Sequence, residues 1–387
     1  MHWKKSNRLE RLPPYLFTEI EKIITQKRKE GKNLISFGVG DPDVPPPRFI
    51  LESLAKEALN PKNHNYSFSQ GEEEFKKAVA EWYKKRFNVD LNPETEVTAL
   101  IGSKEGLANI SRAFLNPGEK ILVPDPAYPV YLNGATLLND NIPVFMPLLE
   151  ENNFLPNLNE LNAENVKMMF LNYPNNPTGA VIDEKKLKEI VEFAKENNLI
   201  ICYDNAYSEL TFDDYVAPSI LQIDDAKEYA IEFHSCSKTF SMTGDRIGFA
   251  VGNAELIDGL IKVKSQIDSG PQIYIQKAAI KALESYTSSQ PPSYIKERNM
   301  IYKERRDYLV KELNSMGLKC NKPKGTFYVW AKCFDNSINF VRKLLEVDVV
   351  ATPGAGFGKY GEGYVRFALT IPLDKIKEAC ERMKKIL

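Results

Sequence analysis

Short apolar, β-branched runs alternating with stretches of helical periodicity constrain this chain more than any other feature. Between Glu184 and Asn197 the apolar residues Leu187, Ile190, Val191 and Ala194 fall at helical spacing. Leu199-Ile200-Ile201-Cys202-Tyr203 follows as a run too apolar for a strand with one wet face. Similar runs are Val97 to Ile101, Ile121 to Val123, Val166 to Leu171, Ile231 to Phe233 and Ile247 to Val251. Buried strands separated by helices specify an α/β fold with a largely parallel sheet.

A single core does not grow to 387 residues, so a second unit is expected. The tail supplies it, because the texture changes there. A charged helix through 294–313 leads into a strand Thr326 to Trp330, a Pro-Gly-rich loop Thr352 to Gly358 and a strand Val365 to Leu369. An amphipathic helix from Asp374 closes the chain. The division predicted is a large domain over residues 40–286 and a smaller α+β domain from 1–39, with its N-terminal arm, and 287–387.

Composition narrows the function classes. A net charge of −1 gives no reason to expect nucleic acid or an anionic membrane as partner. No apolar run approaches the roughly 20 residues that cross a bilayer, and MHWKKSNRLE has no apolar stretch behind it, so the expected location is cytoplasmic. Five scattered cysteines without a CxxC pair, and three histidines, predict neither a disulfide framework nor a metal site.

The chemistry gathers at the ends of predicted strands, where open α/β sheets bind ligands. Lys238 lies in SCSKTFSMTGDRIG, with Ser235 before it and Arg246 after it, both suited to gripping a phosphate. A surface lysine is the plain alternative, but so turn-rich a stretch before a buried strand is costly unless it wraps a ligand. Asp204 follows the strand that ends at Tyr203, and Tyr207 comes three residues later. The carboxylate suits a protonated ring nitrogen and the phenol a ring hydroxyl, although a helix N-cap would explain the aspartate alone. Gly102-Ser103-Lys104-Glu105-Gly106 opens a helix whose free N–H groups, with the Ser103 hydroxyl, make an anion site or simply a capped start. Tyr128 in PDPAYPVY is the candidate stacking ring, or else a packing residue. NYPNNPTG at 172–179 enforces a tight irregular turn that fixes the Asn176 amide. Arg366 interrupts an apolar strand, and its fork geometry suits a carboxylate from the protein or from a substrate.

Taken together, these strings resemble the class I/II aminotransferases of PLP fold type I, from GVGDPD at 38–43 to GEGYVRFAL at 361–369. The resemblance implies a large domain with a mostly parallel, mixed sheet of seven strands between helices, beside a smaller α+β domain. It also implies a transaminase with pyridoxal 5'-phosphate carried on Lys238 and its ring nitrogen paired with Asp204. It gives Asn176 and Tyr207 to the ring oxygen, and Ser103, Lys104, Ser235 and Arg246 to the phosphate. Arg366, Asn176 and the Gly40 backbone would take the α-carboxylate of amino-acid and 2-oxo-acid substrates. Tyr66 in NYSFSQG matches the tyrosine that reaches a neighbouring subunit's phosphate, which implies a homodimer with shared active sites.

Within the family, LPPYLFTEI, IGSKEGLANI, IEFHSCSKTFSMTG, KVKSQIDSG and TFYVWA are similar to the diaminopimelate branch of lysine biosynthesis. That likeness implies amino transfer from glutamate to tetrahydrodipicolinate, with Tyr15 and Lys104 as candidates for the distal end of the substrate. Asp245 stands where that branch usually has tryptophan, and Pro271-Gln272 replace apolar residues. Aspartate, alanine or aromatic amino acids therefore stay open as substrates, as does a PLP β-lyase.

Overall fold

The computed structural model describes residues 3–13 and 16–387. After a first short strand, β1 (Ile35–Ser36), the chain builds a seven-stranded sheet. Its strands are β2 (Val97–Leu100), β3 (Lys120–Asp125), β4 (Ile142–Pro147), β5 (Val166–Asn172), β6 (Ile200–Asp204), β7 (Ala230–Ser235) and β8 (Gly248–Gly252). Their spatial order is β2-β8-β7-β6-β5-β3-β4, and β8 alone runs against its neighbours. The short connection after β7 returns the chain directly as β8, which only an antiparallel pair permits.

Successive side chains point to opposite faces of the sheet, as the period of two requires, and in the central strands both faces are buried. Ile121, Val123, Met168, Phe170, Cys202, Ile231 and Phe233 pack against the helices Ser103–Phe114 and Ala254–Lys264. On the other face Leu122, Met169, Leu171, Ile201 and Tyr203 meet the helices Glu73–Phe87, Glu184–Asn197 and Ile273–Glu284. The helix over 184–197 has the bounds its periodicity predicts, with Asp183 capping its start through the Lys186 amide.

The later chain forms β9 (Tyr328–Lys332), β10 (Val349–Val350), β11 (Thr352–Pro353) and β12 (Tyr364–Ala368). β10 pairs in parallel with β1, which ties the beginning of the chain to its end. An antiparallel sheet of order β11-β12-β9 packs its own core, Phe327, Val329, Val365 and Phe367, against Leu309, Leu313, Ile376 and Ala379 of the helices Ser293–Ser315 and Leu373–Met383.

Two differences from the sequence-based expectation have physical causes. The strand expected from Thr326 begins at Tyr328, because Thr326 takes a left-handed φ of 66° that breaks extension. β4 has no counterpart among the predicted runs; it is a half-exposed edge strand holding Pro143 and Pro147, residues that demote a strand reading. Among the described residues no helix is long and apolar enough to cross a membrane.

Candidate active site

Asn172, Asp204 and Ser235 end the neighbouring strands β5, β6 and β7, and beyond those carboxyl ends lies a cavity of about 300 Å³. A parallel sheet delivers three consecutive strand ends to one edge, so residues distant in sequence converge there. Lys238 follows β7 on the single helical turn Cys236–Thr239, and its Nζ donates to the Gly40 carbonyl at 3.0 Å. Burial, with Arg246 and Arg366 adding repulsion, lowers its pKa to about 8 against the pull of Asp41.

Asp204 faces the same cavity and is 4 % exposed. One carboxylate oxygen accepts from the Tyr131 hydroxyl at 2.7 Å and the other from the Ala206 amide at 3.3 Å. Desolvation raises its pKa to about 6, although the Tyr131 and Ala206 bonds act against that rise. Tyr131 stands on a π-helical turn, Val130–Thr136, stacked on Phe170 at 5.2 Å between ring centres. Three residues earlier Tyr128 lines the cavity, edge-on to Tyr131 at 6.0 Å. The π-helical turn therefore sets the carboxylate anchor, and the loop that leads into it sets the ring wall.

The NNPTG turn is held from within. Asn172 accepts the Asn176 amide at 2.8 Å through its side chain and donates to the Asp204 carbonyl at 2.7 Å. Asn176 Oδ1 accepts from Arg366 Nη1 at 2.8 Å, while Arg366 Nη2 donates to the Gly38 carbonyl at 2.9 Å. Arg366 is fully buried, with the Tyr328 ring 4.1 Å and the Phe357 ring 4.8 Å from its guanidinium carbon. Burial lowers its pKa, yet an arginine keeps its charge there. Tyr207, 6 % exposed, places its hydroxyl 3.3 Å from that of Tyr328.

At the other end of the cavity the helix Ser103–Phe114 offers its N-terminus beside Ser235 and Arg246. Gly102 has φ 90°, and a side chain there would collide with the Arg246 guanidinium, so glycine is what lets the two meet. Arg246 donates to the Thr243 carbonyl at 2.9 Å and to that of Ile101 at 3.3 Å, which draws its charge to the helix start. Lys104 lines the same end and is exposed.

Gly40, Ser103, Lys104, Tyr128, Asn176 and Asp204 all line this one cavity, as do Tyr207, Ser235, Lys238 and Arg246. Arg366 reaches it from behind, through Asn176 and Tyr328. Tyr66 does not line it and is 91 % exposed. Tyr15 lies outside the described residues. Asp245 and Pro271-Gln272, the departures from the diaminopimelate branch, do not line the cavity of their own chain. Sequence reasoning passed over Asn172, Tyr131 and Tyr328, which the geometry adds. Asn172 opens the NYPNNPTG string and Tyr131 ends PDPAYPVY, so both had a signal. Tyr328 had only its place in the predicted strand and in TFYVWA, neither of which points to its hydroxyl.

A buried carboxylate, a lysine of lowered pKa and an anion-binding helix start could together hold a planar phosphorylated aldehyde with a basic ring nitrogen. The family described as aminotransferase class I and II matches residues 32–383. The chain belongs to that family. An LL-diaminopimelate aminotransferase of Moorella thermoacetica is 49 % identical, over 99 % of this chain and 98 % of its own. Substrate-bound BacF of Bacillus subtilis superposes with a TM-score of 0.93 at 38 % identity, covering 100 % of this chain and 98 % of its own. An aspartate aminotransferase single mutant of Thermus thermophilus gives 0.92 at 26 % identity, with 100 % of both chains covered.

Proposed function

We propose that this chain transfers amino groups between LL-2,6-diaminopimelate and 2-oxoglutarate, with pyridoxal 5'-phosphate as its cofactor and Lys238 as the residue that carries it. The observation that carries the chemistry is the pairing of Lys238 and Asp204 at adjacent strand ends across one cavity. The substrate rests on full-length identity to the diaminopimelate enzyme of Moorella thermoacetica. When bound, pyridoxal phosphate supplies the electron sink for charge developing at the substrate Cα and carries the amino group between half-reactions.

The chain's own groups do the rest. Asp204, ionised above about pH 6, would hold a proton on the ring nitrogen, and Tyr131 would keep its carboxylate aimed. Ser103, Lys104, Ser235 and Arg246 would take the phosphate, Tyr128 the ring face, and Asn176 with Tyr207 the ring oxygen. Arg366 would bind the α-carboxylate with Asn176 and the Gly40 backbone, while Tyr15 and Lys104 would meet the distal end of the substrate. With a pKa of about 8, Lys238 has a useful neutral fraction near pH 7, so Nζ would take the proton from the substrate Cα and pass it to the cofactor's C4' carbon. Two substrates that use one site in turn imply ping-pong kinetics. We also assign residues 40–286 and the flanking segments to separate domains, and the active form to a homodimer in which Tyr66 serves the neighbouring site.

The test is glutamate formation from LL-diaminopimelate and 2-oxoglutarate by the protein loaded with pyridoxal phosphate. Turnover that Lys238→Ala abolishes supports the whole reading. Inertness toward diaminopimelate, with turnover of aspartate or aromatic amino acids, discards the substrate and keeps the chemistry.

A further inference from the structure

Two buried phenols meet where the smaller sheet touches the cavity. Tyr328 opens β9, is 3 % exposed, and sets its hydroxyl 3.3 Å from that of Tyr207. Its ring lies under the Arg366 guanidinium, and its hydroxyl fills the space that a side chain on Gly40 would need. A phenylalanine would seat Arg366 equally well. The added hydroxyl is costly to bury unless it makes a bond, and among the described residues its partner is Tyr207.

Either phenol can donate while the pair stands alone. Once Tyr207 donates its proton to a ligand oxygen, the choice disappears, and Tyr328 donates to Tyr207. Hydrogen bonds in such a chain polarise one another, more so in a low-dielectric site. Burial, with Tyr328 adding to it, holds the Tyr207 phenol well above its ordinary range, so Tyr207 stays a donor throughout the working pH.

We propose that Tyr328 is a positioning residue of the transamination, committing the proton of Tyr207 to the cofactor's ring oxygen while its ring seats Arg366 for the substrate carboxylate. This rests on the pyridoxal phosphate reading above. A bond donated to the ring oxygen draws charge from it and weakens its support for a proton on the conjugated nitrogen next to the ring. Losing that bond therefore raises the pH at which the bound cofactor changes its visible absorbance.

The experiment titrates that absorbance in the wild type, Tyr328→Phe, Tyr207→Phe and the double variant, each loaded with pyridoxal phosphate. Tyr328→Phe should raise the midpoint by about half a pH unit, and Tyr207→Phe should raise it further. In the Tyr207→Phe background the second substitution should add nothing, because its effect passes through Tyr207. Thermal melts of the unloaded proteins separate this from a packing role, which would lower stability without moving the midpoint. An unmoved midpoint in Tyr328→Phe, or the same increment in both backgrounds, overturns the proposal. A wild type without any visible band overturns the functional reading itself, and the proposal with it.

Discussion

Asp204 is built against the stability of the empty protein. Its folded-state pKa of about 6 lies above that of an ordinary aspartate, so between those two values the folded state binds more protons than the unfolded one. Stability of the unloaded protein therefore falls as pH rises through that window, and ionised Asp204 opposes folding by about 3 kcal/mol near neutrality. Asp204→Asn should melt higher than the wild type at pH 7 to 8, and calorimetry should see the difference vanish toward pH 4. Turnover should be lost in the same variant. Lys238 carries the opposite sign, since burial favours its neutral form. Only a neutral amine attacks an aldehyde, so capture of pyridoxal phosphate by the unloaded protein should fall tenfold per pH unit below about 8 and level off above it. Stopped-flow absorbance between pH 6 and 10 measures this directly, and a flat profile would mean that the amine is not the capturing group. Neither residue was legible alone; the turn-rich run from Ser235 to Arg246 singles out Lys238, and the apolar strand before Asp204 with Tyr207 after it singles out the aspartate. Tyr131, which tempers Asp204, was legible only as the end of PDPAYPVY and not as a donor, because a tyrosine near prolines can equally be a packed ring.

Elements are tied to the site by a buried cation. Lys264, whose side chain is 0 % exposed, leaves the end of the helix Ala254–Lys264 to reach Glu105 at 3.2 Å and Asp268 at 2.5 Å. Glu105 belongs to the helix whose first turn offers the anion site, and Asp268 also accepts the Gly270 amide at 2.7 Å. The 268–272 loop in turn clasps the 67–72 segment: Ser69 donates to the Asp268 carbonyl at 3.2 Å, and Gln276 joins Glu72, Ser67 and Pro271. Removing one partner of such a buried group leaves two carboxylates without compensation, at a cost of about 3 to 5 kcal/mol. Lys264→Met should show that loss in urea unfolding, together with weaker binding of pyridoxal phosphate. Unchanged stability would show that these ion pairs do not hold the two helices and the loop together. None of this network could be read from KVKSQIDSG, whose charges look like any solvated helix end. Strands such as β5 and β6 were legible because burial on both faces writes itself as continuous apolar runs, whereas β4 hid its edge position behind two prolines.

At the scale of the whole molecule, Tyr66 connects the clasped segment to a question of assembly. The other residues proposed for the phosphate line one cavity, yet this tyrosine, just before the clasped segment, is 91 % exposed, with Phe68 two residues on at 67 %. Two exposed aromatic rings so close in sequence suit the proposed homodimer, in which a closed two-fold pairing would let each copy offer Tyr66 to the other's site. That arrangement makes a prediction no monomer can imitate. Lys238→Ala removes chemistry from a site in its own chain, whereas Tyr66→Ala would remove a contact from the neighbour's site. A hybrid dimer of the two variants then holds one site with both defects and one with neither. Random pairing makes half the dimers hybrid, so mixing equal amounts of the variants should restore about a quarter of wild-type sites, read as turnover in excess of the two variants measured apart. Activity equal to their average would place Tyr66 outside the neighbour's site, and would leave the exposed rings as an interface without a catalytic share.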